Sequence, residues 1–274
     1  MNITAIIAAM AVTALSGMAV GLALGLFAER FKVEENPLIE AIRQCLPGAN
    51  CGGCGYAGCN ACAKAIAKGE AKANACAPGG NETAERIAAL IGDDSVQQVR
   101  QMTAFVRCGG TCDKTSSLYE YTGIRDCVFA MNVPGHGGKS CRFGCIGFGS
   151  CMKVCSQNAI HIEKGIAKVD ESLCIGCGQC VKACPAHIID LVPKGWKAEV
   201  ACSSTDRAKK VLHVCTAGCI GCSLCQKKCP EGAVIFENNL AHIDFEKCTG
   251  CGICVSACPR GAIAGAPDVL KQCK

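Results

Sequence analysis

Aromatic side chains are scarce in this chain of 274 residues, which has 8 Phe, 3 Tyr and 1 Trp, or 4% in all. Beyond residue 28 large apolar side chains are also thin, so the modules that follow cannot be held by burial alone and need a covalent or metal staple. No G-x-G-x-x-G follows a strand-like run, which excludes a nicotinamide or flavin fold of its own. Gly138-Lys139-Ser140 has the tail of a phosphate loop, but Val133 stands where the first Gly of that loop belongs. His136, His161, His187, His213 and His242 are scattered singly and read as surface or packing residues, and no nucleophile has a paired base. A basic patch interleaved with aromatics is missing too, which argues against a nucleic-acid partner.

Cysteine is abundant instead. There are 28, mostly at spacings that cage an iron–sulfur cluster rather than pair into disulfides. Cys174-Cys177-Cys180-Cys184-Pro185, Cys219-Cys222-Cys225-Cys229-Pro230 and Cys248-Cys251-Cys254-Cys258-Pro259 each read C-x2-C-x2-C-x3-C-P. In such a run three thiolates hold one [4Fe–4S] cluster and the fourth reaches to a partner cluster. The two-residue gaps turn successive side chains onto one point. The proline then biases the fourth Cys away from helical backbone and stops the helix.

A shift of 74 positions carries Cys141, Cys145, Cys151, Cys155 and Cys174 onto Cys215, Cys219, Cys225, Cys229 and Cys248, and Cys177, Cys180 and Cys184 onto Cys251, Cys254 and Cys258. Between them, apolar and polar residues alternate about Lys164-Gly165 and Asn238-Asn239, which predicts two hairpins. Each repeat reads as one two-cluster ferredoxin unit. In the second unit the expected ligand sets are Cys219, Cys222, Cys225 with Cys258, and Cys248, Cys251, Cys254 with Cys229; Cys215 is a spare or an alternative to Cys222. In the first unit Phe148 takes the place of Cys222, and Ser156 that of the usual proline. The expected sets there are Cys141, Cys145, Cys151 and Cys184, with Cys141 moving in as the missing ligand, and Cys155, Cys174, Cys177 and Cys180.

The segment LPGANCGGCGYAGCNAC has a different pattern, C-x2-C-x4-C, with Cys76 following after sixteen residues. Its glycines let backbone approach a cluster closely. Cys51, Cys54, Cys59 and Cys76 are therefore the expected ligands of a fifth [4Fe–4S] cluster. Zinc is the rival for any four cysteines, but zinc sites pair two knuckles and do not exchange a fourth ligand between repeats. Cys108, Cys112 and Cys127 follow, and Cys127 shifted by 74 falls one residue from Cys202. Cys108, Cys127, Cys202 and Cys215 are either a sixth, pseudo-symmetric site or buried structural thiols. Cys45, Cys62 and Cys273 read as non-ligands.

Residues 3–28 carry no charge. At about 1.5 Å per residue they cross the roughly 30 Å hydrocarbon core of a bilayer with some tilt. The run lacks a basic leader and is long for a signal-peptide core, so a retained anchor is preferred to a cleaved peptide. Arg30 and Lys32 lie on its C-terminal flank only, which by the positive-inside rule leaves the cysteine-rich part in the cytoplasm. Gly17, Gly21 and Gly25 repeat along one helix face and either suit close docking of other membrane helices or belong to a helix merely rich in small residues. A cytoplasmic setting makes disulfides the poorest use of the cysteines.

The formal charge of +5 counts every thiol as neutral. Five clusters held by four thiolates each add about −10, so the loaded protein is acidic. The fold class expected is α+β: an anchor over 1–30, a small 4Fe-4S domain over 36–100, and two tandem dicluster ferredoxin-like units over 105–195, with an insertion, and 196–274. The stretch 81–105, broken at Gly92-Asp93-Asp94, is expected to link the small domain to those units.

The Gly-rich anchor, the LPGANCGGCGYAGC motif with Cys76 and the ferredoxin units together resemble the B-subunit family of the Rnf-type ion-translocating ferredoxin:NAD oxidoreductases, in its longer, multi-ferredoxin form. The resemblance covers essentially the whole chain. It implies an inner-membrane translocase in which this subunit accepts electrons from soluble ferredoxin and relays them toward flavin- and cluster-bearing partners. It implies enzyme activity only as part of that complex, with ion pumping and NAD chemistry elsewhere. The alternatives are an iron–sulfur subunit of another membrane reductase or dehydrogenase, and a zinc-stapled adaptor at the membrane.

Overall fold

The computed structural model describes residues 3–30, 36–93 and 97–265; Lys32, Asp94 and Cys273, named above, lie outside the described residues. The first element, α1 (Ile3–Arg30), is a 28-residue helix with basic Arg30 in its last turn. Its window Met10–Phe27 has a mean hydropathy of 1.9 and no residue of it is buried within the protein. It is the one helix among the described residues long and apolar enough to cross a membrane. The hydroxyls of Thr13 and Ser16 turn back to the carbonyls of Met10 and Thr13, both at 3.0 Å, which satisfies them without water.

A small helical module follows. In α2 (Pro37–Cys45), Asn36 caps the Leu38 N–H at 3.0 Å and Pro37 opens the first turn. Next come α3 (Cys59–Ala67) and α4 (Gly80–Ile91), the latter stopped by Gly92 in the left-handed region with φ 71°. Fully buried Ile42, Ile66 and Ile87, one from each helix, meet in a core together with Cys62 and Ala63.

Beyond residue 97 the same strand pattern occurs twice. In the first copy β1 (Met102–Val106) precedes the short helices α5 (Cys127–Met131) and α6 (Ser150–Lys153). The strands β2 (Ile160–Glu163) and β3 (Ile166–Val169), the helix α7 (Gln179–Ala183) and β4 (Ile189–Pro193) complete it. The second copy runs β5 (Ala198–Val200), α8 (Ala208–Val214), α9 (Leu224–Lys228), β6 (Val234–Glu237), β7 (Leu240–Ile243), α10 (Ile253–Ala257) and β8 (Ile263–Gly265). The pairs β1–β4, β2–β3, β5–β8 and β6–β7 are all antiparallel. Both hairpins turn where the sequence predicts, at Lys164-Gly165 (φ 45° and 75°) and Asn238-Asn239 (φ 50° and 63°), a conformation that twists with the strands.

Register aligns the copies. Val106 pairs with Ile189 and Val200 with Ile263, so Val106 and Val200 are equivalent although 94 positions apart. The 74-residue shift therefore holds from Cys141 onward and fails before it, because 33 positions separate Cys108 from Cys141 but only 13 separate Cys202 from Cys215. The surplus is the segment that carries α5, with a core of its own from Cys127, Ala130 and Ile146, covered by Tyr121, Met131 and Phe148. Residues 102–105, expected to belong to a linker, are instead most of β1, whose Ala104 and Val106 enter the first copy's core.

Candidate metal centres

All 27 described cysteines are free thiols. Among the described residues no three His, Cys, Asp or Glu close in tightly enough for a single ion. The described cysteines beyond residue 100, apart from Cys112, are instead gathered in fours around cavities of about 360 to 420 Å³ of atom-free space, mouths included.

Cys155, Cys174, Cys177 and Cys180 line one cavity in the first copy, and Cys229, Cys248, Cys251 and Cys254 line its counterpart. Short helices start beside each: α7 after Gly178 (φ 74°) and α10 after Gly252 (φ 75°). These helices stop at Cys184 and Cys258, whose extended backbone (ψ 108° and 111°) precedes Pro185 and Pro259. The stop sends both side chains elsewhere. Cys184 lines a second cavity with Cys145 and Cys151, and Cys258 lines one with Cys219, Cys222 and Cys225.

The second cavity of the first copy differs from the sequence expectation. Its fourth cysteine is Cys127, at the start of α5, with its N–H bonded to Ser150 Oγ at 2.9 Å. Cys141 lines a different cavity, with Cys108, Cys202 and Cys215. Phe148, at the position of Cys222, turns to Tyr121 (ring centroids 5.2 Å apart) with Arg125 over its ring. A phenyl ring packed into the insertion leaves room for a thiol delivered by that insertion.

The sulfurs are dressed as anions. Backbone N–H groups of Ala104, Ala159, Ala167, Ala233 and Ala262 donate to Cys174, Cys155, Cys145, Cys229 and Cys258 at 3.3–3.4 Å. Without a cation the thiols resist ionisation. Burial first, and then neighbouring thiolates, pushes Cys151 up to about 12 and Cys180 and Cys254 up to about 11. Four convergent sulfurs with amide donors around a polyatomic space fit a cationic iron–sulfur core, whose binding displaces the protons.

In the helical module the Cys59 N–H is capped by Asn50 Oδ1 at 2.9 Å, and a Cβ on Gly58 would stand 3.0 Å from that oxygen. Burial raises Cys76 against the opposing bond from the Gly79 N–H, and the charges of Cys54, Cys59 and Cys51, close enough to act on it, add to the rise. Buried Cys62 lies against them as well. It is pushed up to about 12 by burial, then by the charge of Cys54 and its bond to that thiol. Cys45 is half-buried on the same core and Cys112 is exposed. Gln179 Nε2, in α7, donates to the Cys51 carbonyl at 2.5 Å and ties this module to the Cys177 cavity.

Comparison with known proteins finds iron–sulfur families over cysteine-rich segments of the chain. An Fe-S cluster family matches residues 46–78, and 4Fe-4S binding domain families match 167–190, 219–233 and 241–264. The chain is 41% identical over 245 residues to the B subunit of the Na(+)-translocating ferredoxin:NAD(+) oxidoreductase complex of Acetobacterium woodii, covering 89% of this chain and 73% of that one. It is 44% identical over 241 residues (87% and 84%) to the proton-translocating counterpart of Clostridium ljungdahlii. The chain belongs to this B-subunit family. It is likewise 42% identical over 242 residues, 88% and 91%, to the B subunit of the ion-translocating oxidoreductase complex of Methanosarcina acetivorans. Within this B-subunit chain, Cys108, Cys127, Cys141, Cys145, Cys151, Cys155, Cys202 and Cys215 lie outside the matched segments.

Proposed function

We propose that this chain is the iron–sulfur electron-transfer subunit of a membrane-bound, ion-translocating ferredoxin:NAD oxidoreductase, drawing electrons from reduced ferredoxin and delivering them to partner subunits that carry the flavin and NAD chemistry. The observation that carries the reading is the series of four-cysteine sites from the Cys51 loop to Cys251 in a B-subunit homologue whose α1 is long and apolar enough to cross a membrane. It serves as an enzyme only within that complex.

The residues that would hold [4Fe–4S] clusters are Cys51, Cys54, Cys59 and Cys76; Cys155, Cys174, Cys177 and Cys180; Cys127, Cys145, Cys151 and Cys184; Cys219, Cys222, Cys225 and Cys258; and Cys229, Cys248, Cys251 and Cys254. When bound, each cluster supplies a one-electron redox centre whose potential follows hydrogen bonding to sulfur, local charge and exposure. The chain's part is to hold sulfur charge with amide donors, exclude water and keep the sites close. We take 36–100 as the first cluster domain and 105–195 and 196–274 as tandem dicluster units, behind a single-pass anchor over 1–30. Arg30 at the end of α1 favours the cytoplasmic side of the inner membrane for all of them.

Reduced ferredoxin docks on the second copy in this reading. Cys222 and Cys251 are exposed thiols there, beside exposed Lys227, Lys228 and Lys247, and an acidic one-electron donor is steered to such a face. The test is anaerobic purification followed by iron and sulfide counts and spin resonance, then mixing with reduced ferredoxin. Cys54→Ala should still oxidise ferredoxin in a single turnover while steady flow to the complex stops. Unchanged steady flow, or parent protein lacking acid-labile sulfide, overturns the reading.

A further inference from the structure

Where the two copies meet, each contributes two cysteines to one cavity of about 420 Å³: Cys108 and Cys141 from the first, Cys202 and Cys215 from the second. Cys108 lies two residues past β1 and Cys202 two residues past β5, and these strand ends are equivalent by register. Cys141 and Cys215 each lie four residues before a cysteine of a neighbouring site, Cys145 or Cys219. The copies are stitched here by the Gly109 N–H to the Ala201 carbonyl at 2.9 Å, and by Ser203 Oγ to the Arg107 carbonyl at 3.0 Å.

We propose that Cys108, Cys141, Cys202 and Cys215 bind a sixth iron–sulfur cluster of the [4Fe–4S] class, which bridges the two ferredoxin-like copies. The proposal rests on the iron–sulfur reading above and adds a site to it. The sulfurs are prepared as the others are. Cys108 Sγ accepts from the Cys145 N–H and Cys202 Sγ from the Cys219 N–H, both at 3.3 Å, and Cys202 takes a second bond from the Ser204 N–H at 3.4 Å. Thr115 Oγ1 donates to Cys215 Sγ at 3.5 Å.

Room is kept by small residues. A Cβ on Gly110 would meet Thr115 Oγ1 at 2.6 Å, and would stand 3.4 Å from Cys215 Sγ and 3.6 Å from Cys108 Sγ, so those sulfurs converge across a bare backbone. Cationic groups gather round it. Lys139 lines the cavity with Nζ held by the carbonyls of Gly165 (2.6 Å) and Gly110 (3.3 Å), and an Arg260 guanidinium N–H donates to the Cys215 carbonyl at 2.7 Å. An anionic thiolate-bound cluster is the group such a surround favours.

The pair of N–H bonds also explains its use. Cys145 and Cys219 each line a flanking cavity and each touch a sulfur of the central one. A one-electron centre there joins the copies through single residues, and electron tunnelling decays exponentially with distance. Simple buried thiols would need neither four convergent sulfurs nor amide donors to them.

The full-length parent, purified anaerobically, should carry about 24 iron and 24 sulfide per chain if six clusters are present, against about 20 for five. Native mass spectrometry reads this on the parent itself, with no variant to misfold. Cys202→Ser should then lose one cluster's worth of iron and sulfide, retain the rest, and slow electron passage between the copies at least tenfold. Zinc in the place of the missing iron, or a parent with five clusters and an unchanged count in Cys202→Ser, overturns the sixth site while leaving the five standing. A parent with no sulfide overturns the underlying reading instead.

Discussion

Gly53 presses on Cys177: a Cβ built on Gly53 would stand 2.8 Å from the Cys177 carbonyl oxygen and 3.1 Å from its Cα. Only a residue without a side chain lets the Cys51–Cys59 loop reach the rim of the next cysteine cavity. Gln179 then locks the approach by its bond to the Cys51 carbonyl.

That contact makes the first prediction. Gly53→Val forces backbone apart, at a cost of roughly 1–3 kcal/mol for an overpacked contact. Iron and sulfide content should stay at the parent level, while ferredoxin-driven electron flow through the complex falls tenfold or more. Parallel loss of both would mean the loop folds wrongly, and unchanged flow would mean the junction is unused; stopped-flow absorbance with iron analysis separates the cases.

Cys127 lines one cavity with Cys145, Cys151 and Cys184, in the copy where Phe148 holds the position of Cys222. Cys127→Ala should therefore remove one cluster, about four iron per chain, and the double variant Cys127→Ala/Phe148→Cys should recover part of it by placing a thiol where the second copy has Cys222. Iron analysis of the three proteins checks this. Cys141→Ala, by contrast, should leave the cluster of Cys145, Cys151 and Cys184 in place by spin resonance.

Glu199 is buried in β5, and burial drives its carboxyl up to about 7, with Asp190 adding to the rise and the Val200 N–H and Arg107 opposing it. Arg107 is itself bonded to Asp190 at 3.0 Å. A carboxyl raised on folding contributes stability that is fully present below the ordinary carboxylate range and is lost as pH rises through about 7. The denaturation midpoint of the cluster-loaded protein should drop between pH 5 and 8, and Glu199→Gln should flatten that slope. Nearby His242, lowered by burial and Arg107, contributes the opposite slope and is common to both proteins, so their difference isolates Glu199.

Removal of iron should unfold both strand copies. Their cores contain many of the cysteines themselves, with Cys145, Cys151, Cys180 and Cys184 among the buried set of the first copy and Cys225 and Cys254 in the second. Without metal those thiols leave cavities lined by half-satisfied polar groups. Chelation under anaerobic conditions should bring the amides of β1 through β8 to fast hydrogen exchange, with α1 in detergent retaining its helical circular dichroism; protected strands after complete iron loss would contradict the stapling argument.

Local spacing made much of this legible. The hairpins at Lys164-Gly165 and Asn238-Asn239, the stop of α4 at Gly92 and the extended backbone before Pro185 and Pro259 are set within a few residues and could be read directly. The placement of Cys127 and Cys141 could not. An insertion between Cys108 and Cys141 shifts everything N-terminal to it by twenty positions, so a constant repeat aligns Cys127 near Cys202 when the strand register aligns Cys108 with it. The unequal gaps from Cys108 to Cys141 and from Cys202 to Cys215 were the available signal.

By itself the chain of residues determined the kind of protein: a helix long enough to cross a membrane from an uncharged apolar run, cysteine runs whose thiols lie within one loop and one helix turn, and membership of the B-subunit family. Tertiary structure decided which distant cysteines share a cavity, where two copies of one fold meet across Gly109 and Ala201, and how closely the Gly53 loop approaches Cys177. The difference is one of range. A C-x2-C loop is short enough for covalent geometry to aim its sulfurs, whereas thiols tens of residues apart converge only after strand pairing and core packing have set the path of the backbone between them.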